Sequence, residues 1–144
     1  MTGGCQCSRI RYSAEIDSDE AYLCHCRMCQ KATGGFAAAF VQLPAASVTW
    51  QQEPDWYASS PIARRPFCSR CGTPLGFDFV DSSGSIDLTL GSFDEPGHFR
   101  PVAHAGCESI HERWLDTKDL PRHYSATTTS VATRWEAAGL EVPE

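Results

Sequence analysis

The sequence predicts a mainly β fold, built of short antiparallel strands and finished by one C-terminal helix. Three observations predict it. The apolar residues between positions 3 and 105 come in short runs, several alternating with polar residues, and each run is bounded by Gly, Pro, Asp or Ser. A clear helical stripe appears only over 129–138, where Val131, Trp135 and Ala138 fall on one side and Gly139 follows. The chain has 144 residues, 42% of them hydrophobic, which suffices for one domain with its own core and not for two.

Taken in order, Gly3 to Ala14 reads as a strand with Ile10, Tyr12 and Ala14 on one side and Cys5, Cys7, Arg9 and Arg11 on the other. Residues 15–20 form an acidic turn, and a short strand, 21–23, delivers the chain to Cys24. After Cys29, Gln30 to Thr33 can make one helical turn closed by Gly34-Gly35, with its N–H groups near the sulfurs. Phe36 to Leu43 is a strand that is apolar except at Gln42, and Val48 to Gln51 is a second one. Residues 53–61 read as a polar loop carrying Trp56 and Tyr57, either a cover over the core or a wall of a cleft. Pro74 to Val80 and Ser85 to Leu90 form a hairpin through Asp81-Ser82-Ser83-Gly84, with Asp78, Asp87 and Thr89 on a wet face. Val102 to Ala105 is a further strand, and 109–120, which holds Trp114, is irregular or briefly helical.

The composition excludes several classes of function. Twelve Lys and Arg against 18 Asp and Glu give a net charge of −6, which argues against nucleic acid or an anionic membrane as partner. The longest apolar run, 36–41, is too short to span a bilayer. Met1-Thr2-Gly3-Gly4 carries no signal-peptide pattern, so the expected location is the cytoplasm.

The eight cysteines are grouped as C-x-C, C-x-C-x-x-C and C-x-x-C. That grouping, in a compartment that keeps thiols reduced, suits a metal better than disulfides. Cys68-Ser69-Arg70-Cys71-Gly72 has the form of a zinc knuckle, with Gly72 accepting the positive φ the turn needs. Two sulfurs cannot hold zinc alone, and Cys5 with Cys7 is the pair available to complete a closed site of four. Cys24, Cys26 and Cys29 then fill three corners of a tetrahedron. The fourth falls to water, a substrate, or a protein group such as His25 or Cys107. Three protein ligands with one open position characterise catalytic zinc. Cys107, close in sequence to His104 and His111, reads otherwise as a small buried apolar residue.

These motifs, in this order, resemble the family of glutathione-dependent formaldehyde-activating enzymes, to which the domain of centromere protein V also belongs. The resemblance rests on Gly3-Gly4-Cys5-Gln6-Cys7, on Cys24 to Cys29 with Lys31-Ala32-Thr33-Gly34-Gly35, and on Phe67 to Leu75. A weaker echo comes from Pro101, His104, Ser109, Trp114 and Leu120-Pro121. It covers residues 3–124 and leaves 125–144 as a helical tail packed on that domain. Arg27, Gln30 and Cys107 depart from the family's usual pattern.

The resemblance implies a distorted β-barrel or sandwich of antiparallel sheets with two zinc sites. It implies two zinc ions per chain, one structural on Cys5, Cys7, Cys68 and Cys71, the other catalytic on Cys24, Cys26 and Cys29. The implied activity is that of a carbon–sulfur lyase or synthase joining formaldehyde to a small thiol, glutathione, as S-hydroxymethylglutathione. Two other classes of function fit the cysteines: a non-catalytic two-zinc binding module and a thiol or redox sensor.

Overall fold

The computed structural model describes residues 1–81 and 84–142. The chain divides into two compact units, Met1–His111 and Glu112–Glu144. Among the described residues the first carries every strand. In chain order these are β1 (Thr2–Gly4), β2 (Arg11–Ala14), β3 (Glu20–Cys24), β4 (Ala38–Pro44), β5 (Val48–Trp50), β6 (Asp55–Ser60), β7 (Ala63–Phe67), β8 (Gly76–Phe79), β9 (Ser85–Thr89) and β10 (Arg100–Ala105). One helix, α1 (Arg27–Thr33), follows β3.

Two sheets form. The smaller has the order β1-β2-β5, and the larger β10-β3-β4-β9-β8-β7-β6. All neighbours are antiparallel except β10 and β3, which run parallel. Among the described residues β10 and β6 end the large sheet without pairing to each other, so it stays open and the architecture is a sandwich rather than a barrel. The core between the sheets takes Tyr12 and Ala14 from β2 and Val41, Leu43, Ile86 and Leu88 from β4 and β9. Each fully buried aliphatic side chain such as Leu88 stabilises the fold by about 1.5–3 kcal/mol. Tyr12 is buried with its ring edge-on to Trp50 and Phe93, and its hydroxyl shares a 2.8 Å hydrogen bond with that of Ser92.

Several expectations change. The single strand over 3–14 is a hairpin, β1 and β2, whose connection holds Cys5 and Cys7. Ser8 in that connection has φ 59, and its N–H reaches the Cys5 carbonyl at 2.9 Å. The two sulfurs are therefore gathered by a turn and not by the pleat. The polar loop over 53–61 contains β6, paired along β7. Its Trp56 packs against the core while Tyr57 stays 62% exposed, so one aromatic covers and the other faces out.

The wet face expected on β9 is dry. Asp87 is 3% exposed and Thr89 is buried. Strand β9 lies between β4 and β8, and its second face carries Asp87 and Thr89 beside Phe40 and Phe77. Paired residues share a face of a sheet, so Asp87 belongs to the layer that Tyr22, Phe40 and the 24–29 cysteines close off. The predicted turn at Ser82-Ser83 lies outside the described residues.

The second unit consists of 3₁₀ turns and α2 (Thr129–Ala137). No helix among the described residues is long and apolar enough to cross a membrane.

Candidate metal centres

Two sets of cysteine sulfurs converge. The sulfurs of Cys5, Cys7, Cys68 and Cys71 all lie within 4.8 Å of one another, as do those of Cys24, Cys26 and Cys29. All eight cysteines are free thiols. Sulfurs at about 2.3 Å from a tetrahedral ion stand about 3.8 Å apart. The Cys5–Cys7 and Cys7–Cys68 separations are 3.6 and 3.8 Å. The donor set therefore fits a tetrahedral, thiophilic ion such as zinc.

The four-sulfur set is built by two facing turns. In the Cys68–Cys71 turn the Gly72 N–H returns to the Cys68 carbonyl at 2.7 Å, with Gly72 at φ 79. In the other, the Ile10 N–H donates to Cys5 Sγ at 3.2 Å. Arg9 donates to Cys68 Sγ at 3.5 Å while its other arm pairs with Asp55. Burial opposes ionisation of Cys68, but Arg9 and the N–H groups of Cys71 and Arg70 outweigh it and hold the thiol below its ordinary range. The Thr73 hydroxyl, 3.1 Å from Cys71 Sγ, together with the Thr73 N–H draws that thiol down to about 5. Ile10 and Leu75, both fully buried, seal the set from beneath. Four sulfurs drawn from segments some sixty residues apart leave no corner for a substrate.

The three-sulfur set straddles the end of β3 and the start of α1. Cys26 is the N-cap of the helix, and the Cys29 N–H donates to its sulfur at 3.4 Å. The helix thus begins three residues earlier than its sequence suggests, and the first-turn N–H serves Cys26. Burial opposes ionisation of Cys26, but that contact, the neighbouring Cys29 and Cys24 thiols and the Met28 N–H outweigh it and lower the thiol, whereas burial pushes Cys24 up to about 12 and also raises Cys29. Buried thiols that resist ionisation need a cation, and metal binding displaces their protons.

The loop after β10 supports this segment closely. Gly106, at φ 64, approaches so near that a Cβ there would sit 2.6 Å from the Cys26 nitrogen. Gln30, buried in α1, donates to the His25 and Ser109 carbonyls at 2.7 and 2.9 Å and accepts from Arg27. The two helix residues that depart from the resemblance, Arg27 and Gln30, therefore bond to each other and tie the helix to the 106–109 loop.

Among the described residues no fourth Cys, His, Asp or Glu joins the three-sulfur set. His25 is 1% exposed, and its Nε2 meets His104 Nδ1 at 2.9 Å instead. Cys107 is exposed and not the buried apolar residue expected, because it opens a surface 3₁₀ turn after Gly106. His111 lies edge-on to Phe36, 5.5 Å between ring centres.

The structure adds residues that cysteine spacing could not name. Arg65, 7% exposed, donates to Cys29 Sγ at 3.4 Å, and its guanidinium lies 5.0 Å from the centre of the Phe77 ring. Its sequence signal is Arg64-Arg65 within a strand: neighbours point to opposite faces, so one of the two turns inward. The Tyr22 hydroxyl donates to Asp87 at 2.9 Å. Burial raises the Asp87 carboxyl above its ordinary value, against the pull of that bond. A cavity of about 530 Å³ lies between α1 and strands β6 to β8, lined among others by Met28, Lys31, Tyr57, Arg65, Phe67 and Gly72.

Three comparisons bear on this architecture. A crystal structure of a Rhodobacter sphaeroides protein superposes with a TM-score of 0.57 at 17% identity, covering 73% of this chain and 100% of that one. This likeness is one of fold. An uncharacterized lyase of Schizosaccharomyces pombe is 34% identical over 79 residues, which are 55% of this chain and 58% of that protein. The family model described as glutathione-dependent formaldehyde-activating enzyme matches residues 1–109, nearly the whole of the first compact unit and both sulfur sets. By that match the chain belongs to the glutathione-dependent formaldehyde-activating enzyme family.

Proposed function

We propose that the protein is a zinc-dependent carbon–sulfur lyase or synthase acting on a thiol–aldehyde adduct of the S-hydroxymethylglutathione type. The observation that carries this reading is the inequality of the two sulfur sets: four sulfurs closed on themselves, and three with no further protein ligand among the described residues. Cys5, Cys7, Cys68 and Cys71 would hold a structural ion, and Cys24, Cys26 and Cys29 the ion at the reacting centre. The family match and the lyase name of the fission yeast relative support the same reading.

The reaction itself is an addition. The thiol sulfur bonds to the aldehyde carbon, the carbonyl π bond breaks, and the thiol proton ends on the oxygen; the reverse reaction is the lyase direction. Bound zinc supplies acidity to a thiol that joins it and so makes the nucleophile at neutral pH. The chain's own residues set the conditions. Arg65 places a permanent cation beside Cys29, which offsets the negative charge of three thiolates facing an anionic nucleophile. Gln30 and Gly106 fix the segment that carries the sulfurs. Eight unbridged cysteines suit a reducing compartment such as the cytoplasm.

The experiment is to follow adduct formation from glutathione and formaldehyde by NMR, with zinc-loaded protein and with its Cys26→Ser variant. The expected result is acceleration over the spontaneous reaction in the wild type and none in the variant. A wild-type rate equal to the spontaneous one contradicts the proposal.

A further inference from the structure

We infer that the cavity between α1 and strands β6 to β8 is the recognition pocket for the carboxylate-bearing part of the thiol substrate, with Lys31 and Arg65 as its anchors. This deepens the proposed function and rests on it. The cavity, of about 530 Å³, falls in the range of small-molecule sites. Its lining residues adjoin both cysteine sets in sequence: Met28 and Lys31 flank Cys29 on α1, while Phe67 and Gly72 flank Cys68 and Cys71.

Its charge is the second point. The chain carries a net −6, yet among the described residues no Asp or Glu lines this cavity, whereas Lys31 and Arg65 do. Arg9, Arg11, Arg64 and Arg100 each pair with a carboxylate. Arg65 is buried and among the described residues has no such partner; it meets Cys29 Sγ and the Phe77 ring. Lys31, exposed on the helix, also pairs with no carboxylate among the described residues. A guanidinium taken out of water is stabilised by an anion placed against its remaining donors.

Position is the third point. Arg65 touches a sulfur of the three-cysteine set and lines the cavity as well. A thiol whose sulfur reaches that set therefore has a cation beside its body and a second one further along α1. Tyr57, 62% exposed at the rim, offers a ring for the peptide portion. The ligand class that follows is a small thiol with one or more carboxylates separated from the sulfur by a peptide-like body.

The test uses full-length protein and three thiols: glutathione, its diethyl ester and 2-mercaptoethanol. Binding is read by isothermal titration of the zinc form and by the visible band of the cobalt form. The variant is Lys31→Glu, which reverses an exposed charge and leaves every sulfur in place. Arg65→Lys, which keeps the buried charge, serves as the second variant. Lys31→Glu is expected to raise the glutathione Kd about tenfold, with metal content unchanged. The ester and 2-mercaptoethanol should bind wild type and variant within about twofold of each other. Arg65→Lys should weaken glutathione more than it weakens 2-mercaptoethanol. A glutathione Kd that is the same in wild type and Lys31→Glu, or an ester that binds as tightly as glutathione, overturns the inference while the thiol reading stands. A wild-type cobalt band that responds to none of the three thiols overturns both.

Discussion

At the scale of single residues, the three-sulfur set depends on neighbours that are not ligands. Gly106 is the clearest case. Its φ of 64 is strained for any side chain, and a Cβ would meet the Cys26 backbone at 2.6 Å. Gly106→Ala should lower stability by about 1–3 kcal/mol. It should also release the ion of the three-sulfur set, leaving one metal per chain by elemental analysis. Retention of two ions with an unchanged Tm would remove the loop from its supporting role. Asp87 makes an opposite prediction. Its folded pKa is raised by burial, so its ionised form costs stability. That cost is absent below the ordinary carboxylate value near 3.8 and sets in as pH rises through the raised one. Asp87→Asn keeps an acceptor for the Tyr22 hydroxyl and removes the buried charge, so its Tm at pH 7 to 8 should equal or exceed that of the wild type. A Tm lower by several degrees would show that the carboxylate itself is required.

At the scale of elements, the two sulfur sets differ in what they tie together. The closed set joins the β1–β2 connection to the turn after β7, whereas the three-sulfur set joins the end of β3 to the helix beside it. Cys71→Ser should therefore cost much of the folding free energy, because metal binding there is part of folding. Cys26→Ser should lose one ion and the activity with a moderate loss of stability, since it opens a short loop. Thermal melts with metal counts on both variants test this, and equal losses of Tm would contradict it. The cysteine grouping was legible because ligand spacing is local in sequence. The strands β4, β8, β9 and β10 were legible from apolar runs for the same reason. What escaped was non-local. Alternation of Ile86, Leu88 and Leu90 with Asp87 and Thr89 looks like a strand with a wet face, and only the packing of the cysteine layer against β9 dries it. The pair Arg64-Arg65 within a strand says that one of the two turns inward, but not that it meets Cys29, 36 residues away in sequence. The hairpin at Cys5 and Cys7 escaped because period-two alternation runs through a turn as smoothly as through a strand.

At the scale of the molecule, the family match and both sulfur sets fall within Met1–His111. A chain ending at His111 should therefore keep two metal ions, and a loss of either on elemental analysis would assign the remaining residues a part in holding it. One of the two sulfur sets is closed, and the proposed function requires the other to accept a thiol. The most direct measurement is the visible spectrum of the cobalt-substituted protein during glutathione titration, with Cys71→Ser and Cys26→Ser beside the wild type. Two cobalt ions per chain are expected. Glutathione should change the component that Cys26→Ser abolishes and leave the four-sulfur component fixed. A spectrum that does not move with glutathione, or that shows two equivalent four-sulfur centres, would rule out an open thiol-binding set.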